Sequence, residues 1–186
     1  PSDEDTTNNN ESLELPITQP QEVKACYLTP NKVNENCYSV SDLTNHSEKS
    51  SYEYKDPFTN SSFPKNFNPN QYIAPKRLLP LAQLNANLPL TEHFKIGELM
   101  QAYKGSLGIF SPNVLYYLEQ MRSKINKAIH IHSGYRSPKY NANLSGTANW
   151  SRHMYGDAID FHIEDESYED LAKLCLEFGA SFYQLY

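Results

Sequence analysis

Ile131-His-Ser-Gly-Tyr-Arg136 and, further along, His153-Met-Tyr-Gly-Asp-Ala-Ile-Asp160 with Phe161 form the stretch on which the reading of this chain turns. A histidine and a carboxylate have six residues between them, with a glycine turn among these and an apolar, strand-like run around the carboxylate. Arg136 lies seventeen residues before the histidine, inside Ser133-Gly-Tyr-Arg-Ser137. Nitrogen and oxygen ligands offered from a turn and a strand suit a catalytic zinc ion, and a fixed guanidinium nearby suits an anionic substrate. On spacing alone the pair has a plainer reading, as a surface histidine and a hydrogen-bonded strand aspartate. Asp160 sits between Ile159 and Phe161, where an ionised carboxylate needs a partner: a metal, an arginine or a cluster of backbone donors.

Outward from this centre the pattern is regular. Ala128 to Ser133 alternates as a strand, with Ile129 and Ile131 on one face and His130 and His132 on the other. Asp157 to Ile163 reads as a second strand, and Ala180 to Tyr186 as the start of a third. Ser111-Pro112 is a helix start, hydroxyl cap followed by proline, and Val114, Leu118, Met121 and Ile125 give it one apolar face. Ser137-Pro138 opens a shorter helix. Ser167 to Asp170 is a capping box before Leu171, Leu174 and Phe178, with Gly179 as the stop. Thr91 is expected to cap a helix carrying Phe94, Leu99 and Tyr103. Helices interleaved with strands that can pair antiparallel predict an α+β fold, a small antiparallel sheet with packed helices.

The chain has 186 residues, enough for one core with an appendage. Residues 1–75 read as a polar N-terminal extension, its first dozen residues acidic and disordered, and residues 76–186 as the folded domain. Prolines at 57, 64, 69 and 75 suggest extended chain laid over a surface. A net charge of −6 argues against nucleic acid or an anionic membrane as partner, and no apolar run is long enough to span a bilayer. Cys26 and Cys37 are either a disulfide closing a short loop, which implies an oxidising compartment, or free thiols. Cys175 reads as a buried helix residue.

Taken together, Ser133-Gly-Tyr-Arg-Ser-Pro-Lys-Tyr-Asn141 and Ser151-Arg-His-Met-Tyr-Gly-Asp-Ala-Ile-Asp160 closely resemble the zinc D-alanyl-D-alanine carboxypeptidase family, whose fold is shared with the Hedgehog signalling domain. The resemblance covers roughly residues 90–186. It implies that His153 and Asp160 are two of three protein ligands to zinc, that Arg136 grips the substrate near the scissile bond, and that Ser151 supports the loop or hydrogen-bonds the substrate. Tyr135 and Tyr155 are expected to pack the loops. Gly134 and Gly156 fit positions of permissive backbone or close approach.

The implied activity is zinc-dependent hydrolysis of peptidoglycan stem peptides, as a carboxypeptidase or an endopeptidase, in the periplasm or outside a bacterial cell. The alternative is a noncatalytic module on the same fold that binds cell wall or protein. Oligomeric state is left open. One departure stands out: the family's third ligand, a histidine on a later strand beside the general base, has no counterpart before Tyr186. The expectation is that the chain continues past Tyr186. The other readings are a substitute ligand from His162, His130 or His132, or an inactive relative.

Overall fold

The structure is a computed structural model that describes residues 22–28 and 35–184. The acidic first dozen residues and the last two positions of the expected third strand lie outside the described residues. The chain is mixed α and β, and among the described residues every strand pair is antiparallel. Strands β1 (Lys24–Leu28) and β2 (Glu35–Ser39) form a ladder in which Cys26 faces Cys37, and the two are joined as a disulfide. β3 (Ser41–Asp42), β4 (Arg77–Pro80) and β5 (Leu107–Gly108) make a second sheet in the order β3-β4-β5. β6 (His130–Ser133) and β7 (Asp160–His162) make a third, with Ser133 opposite Asp160. The expected single sheet is therefore divided into three small ones. Residues 180–184 are not a strand, a correction to the expected third one.

Among the described residues, four α-helices accompany the sheets: α1 (Ile96–Leu99), α2 (Pro112–Ile125), α3 (Pro138–Ala142) and α4 (Tyr168–Glu177). Three begin where a serine offers its hydroxyl to an orphan backbone N–H three residues on: Ser111 to Val114, Ser137 to Tyr140 and Ser167 to Asp170. The fourth differs from expectation. α1 starts after Lys95, whose N–H donates to the Glu98 carboxylate at 2.7 Å, while Thr91 is buried with its N–H on the Phe94 carbonyl. A turn at residues 91–94 occupies what the pattern read as a first helical turn. It is pinned to α2 by Glu119, which is 2 % exposed and accepts from the His93 backbone at 2.8 Å.

One core runs through the molecule. α2 contributes Leu115, Leu118 and Met121, β4 contributes Leu78 and Leu79, and Phe94, Ile96, Leu99 and Phe110 fill the centre. Tyr27 and Tyr52 belong to the same core, so residues on both sides of position 75 share it. Their hydroxyls end on the Phe110 and Leu107 carbonyls, which lets a tyrosine be buried without stranding its polar atom. In β6, Ile131 packs against this core and His130 and His132 point outward, as the alternation predicts.

Candidate metal centre

His153 rides on a short 3-10 turn, Arg152–Tyr155, and Asp160 on the first position of β7. The two converge, with His153 Nε2 at 3.4 Å from Asp160 Oδ1. The other ring nitrogen, Nδ1, is 2.7 Å from the Gly134 carbonyl. A carbonyl only accepts, so Nδ1 carries the proton and a neutral ring turns the Nε2 lone pair toward Asp160. Two electron-pair donors then face each other. Either a proton on Nε2 or a cation held between the atoms satisfies them. Around a tetrahedral zinc with bonds of about 2.0–2.1 Å, two ligand atoms stand about 3.3 Å apart. The observed separation matches that spacing, and the Gly134 contact is the kind of outer hydrogen bond that orients a ligating histidine.

Backbone geometry holds the pair in place. Gly134 lies against the end of α1: a Cβ there would meet the Leu99 carbonyl oxygen at 2.2 Å, and the neighbouring Tyr135 N–H donates to that same oxygen at 2.8 Å. Gly156 closes the histidine turn at φ +75°, with its own carbonyl accepting from Ser111 N–H at 2.7 Å. That bond ties the turn to the N-terminus of α2. Both glycines do what the sequence led one to expect.

Arg136 follows β6 and donates its backbone N–H to the His153 carbonyl at 3.1 Å. Its positive charge acts on Asp160. Burial raises the Asp160 pKa, but when Nε2 carries the proton the hydrogen bond and charge of His153, followed by the charges of Arg136 and Lys104, outweigh it and hold the carboxyl below its ordinary value. Ser151 is buried and opens the turn two residues before His153, and its carbonyl accepts from the Met154 N–H at 3.1 Å. The structure thus brings His153 and Asp160 together, sets Arg136 beside them, and gives Ser151 a place under the loop.

Lys104 is the residue that the sequence reading missed. It ends the 3-10 turn Ala102–Lys104, is 6 % exposed, and places Nζ at 3.2 Å from the Ser133 hydroxyl, directly across the ladder from Asp160. Burial, and after it the Arg136 charge, pulls its ammonium below the ordinary lysine value, while Asp160 pulls the other way. Nothing local marks this lysine, in Ala102-Tyr-Lys-Gly105, as different from a solvated one.

An aromatic wall backs the histidine turn. Tyr54 donates to the Met154 carbonyl at 2.8 Å and shares a hydrogen bond of 3.1 Å with the Tyr135 hydroxyl. Tyr72 packs edge-on to Tyr155 and to Trp150, and Phe63 packs edge-on to Trp150. Arg152 lies over the Tyr72 ring at 4.5 Å, pairs with Asp157, and reaches the Gln71 carbonyl. Tyr135 and Tyr155 therefore pack the loops, as read. The proline-marked chain from 57 to 75 is laid over this face and braces it. A cavity of about 310 Å³ between β1, β4 and the start of α2 has Tyr155 and Asp157 at its edge and does not include His153, Asp160 or Arg136.

The proposed substitute ligands do not join the pair. Among the described residues, one group of three His, Cys, Asp or Glu side chains brings its ligand atoms within 4.8 Å of one another: Cys26, Glu35 and Cys37. Its two sulfurs are consumed by the disulfide, so it offers no thiolates. His130, His132 and His162 associate with each other instead.

Residues 92–183 match the family model described as Peptidase M15. No curated protein and no solved structure matches the chain.

Proposed function

We propose, on the premise that this chain belongs through residues 92–183 to the peptidase M15 family, that it is a zinc-dependent peptidase acting on peptidoglycan stem peptides. The observation that carries the reading is the pairing of His153 Nε2 with Asp160 Oδ1 at 3.4 Å, with Nδ1 committed to Gly134. These two side chains would supply two of the metal's protein ligands, and imidazole and carboxylate are both donors that zinc takes. When bound, zinc supplies a Lewis acid that brings the pKa of water down to about 7 and polarises a peptide carbonyl.

The chain's own residues orient the ligands and set the charge around them. Gly134 fixes the imidazole ring, and the lowered pKa of Asp160 keeps the carboxylate ionised and available at neutral pH. Arg136 and Lys104 set two positive charges beside one carboxylate. That arrangement favours a substrate bearing an anionic group near the scissile bond, or the negative charge that develops on its carbonyl oxygen. Lys104 is buried and Arg136 half-buried, so their charges are held with less reorganisation than side chains free in water would need. Ser151 supports the histidine turn from below. The Cys26–Cys37 disulfide fits an oxidising compartment and so supports a periplasmic or secreted location.

The test is metal analysis of the natural protein together with digestion of purified stem peptides. Stoichiometric zinc and chelator-sensitive release of D-alanine or of a cross-bridge fragment are expected. A metal-free protein that binds cell wall without cleaving it would overturn the enzymatic reading in favour of a binding module.

A further inference from the structure

We propose that His130, His132 and His162 form a second metal site, on the outer face of the β6–β7 ladder, for divalent transition ions that prefer imidazole. The inference goes beyond the peptidase reading and does not depend on it. His130 and His132 project from the same side of β6, two residues apart, and both are exposed. His162 stands directly opposite His130 in the ladder. Between Ile131 and Ser133 the register shifts, so β6 carries one extra residue at His132. The irregularity sets His132 against His162 as well.

The result is a row of three imidazoles. His162 Nδ1 is 2.7 Å from His132 Nε2, and the two ring planes are inclined by 18° with centroids 4.8 Å apart. A nitrogen contact that short at that centroid distance means the rings meet edge to edge, each aiming a nitrogen at the other. His130 lies on the other side of His162, its ring centroid also at 4.8 Å. The short contact is a hydrogen bond in which one ring donates and the other accepts. Opening it by about 0.6 Å gives the separation of two nitrogens around a tetrahedral ion. His130 completes the set by rotating its exposed side chain, since its nitrogens are not within 4.8 Å of both others as they stand.

Neutral nitrogen ligands on a solvent-facing strand pair select Cu²⁺, Ni²⁺ and Zn²⁺ over Mg²⁺ or Ca²⁺, with Cu²⁺ the tightest. A bound ion would also join β6 to β7, the two strands that carry Ser133 and Asp160. Occupancy therefore stiffens the ladder beneath the candidate metal centre.

The experiment titrates Cu²⁺ and Ni²⁺ into the chelator-stripped protein by calorimetry and follows thermal unfolding in parallel. The variants are His132→Ala/His162→Ala, its conservative form His132→Gln/His162→Gln, and His153→Ala/Asp160→Ala. The expected result is that both His132/His162 variants lose one equivalent of ion and the accompanying rise in Tm. The His153/Asp160 variant retains both, and copper spectra in that background show imidazole nitrogen that decreases with His130→Ala. Unchanged stoichiometry and Tm response in the folded His132→Gln/His162→Gln protein would overturn the site. Loss of that equivalent only in the His153/Asp160 variant would overturn it too, while leaving the peptidase reading intact.

Discussion

The Gly134 carbonyl accepts the Nδ1 proton of His153 across 2.7 Å, and this one bond decides which nitrogen the ring presents to Asp160. The acceptor comes from the end of β6 and the donor from a turn nineteen residues later, so the orientation is a property of the assembled loops. His153→Ala should therefore lose both zinc and turnover. Arg136→Ala should keep zinc, measured by metal analysis, and lose kcat/KM on stem peptides. Normal turnover by Arg136→Ala would remove the arginine from substrate handling.

Gly134→Ala tests the close approach beneath that bond. The new methyl would meet the Leu99 carbonyl oxygen at 2.2 Å, and backbone on both sides must move. Overpacking of this kind costs about 1–3 kcal/mol. Urea unfolding should show that loss, accompanied by weaker zinc retention because the His153 anchor shifts with the glycine.

Lys104 is tested by Lys104→Met, which keeps the buried stem and deletes the charge. The variant should fold with unchanged zinc content, because the lysine touches Ser133 and neither ligand directly. Its kcat/KM should fall for substrates with a free carboxylate more than for amidated ones, whereas Lys104→Arg restores part of the loss. Equal losses on both substrates would remove the lysine from recognition of a substrate carboxylate.

Tyr54→Phe removes a hydroxyl that serves the Met154 carbonyl at 2.8 Å and the Tyr135 hydroxyl at 3.1 Å. Loss of a part-buried hydrogen bond costs about 0.5–1.5 kcal/mol, and more where the abandoned partner stays dry. The histidine turn should loosen, seen as faster amide exchange at residues 152–155 and as a lower zinc affinity.

Cys175 gives a pH-dependent prediction. Burial raises its thiol pKa, so at a given pH the folded protein holds less thiolate than the unfolded chain. Alkylation by iodoacetamide at pH 8 should be slower in the native state than in urea. The difference should narrow as the pH rises through the folded-state pKa. A native rate equal to the unfolded one would place this thiol in open solvent.

The parts legible from the letters are those made by neighbours in sequence. Ser111, Ser137 and Ser167 cap helices because hydroxyl and N–H are three residues apart, a distance fixed by backbone geometry. Alternation at Ile129 to Ser133 gave the inner and outer faces of β6 for the same reason. Thr91 misled because the turn at 91–94 is held by Glu119 of α2, a partner twenty-six residues from His93. The three separate sheets, and the absence of strand at 180–184, likewise depend on pairings that local pattern does not encode.

By itself, then, the sequence determined the starts of α2, α3 and α4, the strand faces, and the spacing of Arg136, His153, Gly156 and Asp160 that led to the peptidase family. Tertiary structure alone decided which His153 nitrogen faces Asp160, that Lys104 is buried across from it, and that Tyr54 supports a turn 100 residues away. It also drew His130, His132 and His162 into one row. The physical reason is that caps and alternation depend on bond geometry within a few residues. Burial, tautomer and charge coupling depend on which distant surfaces come to share the same few ångströms.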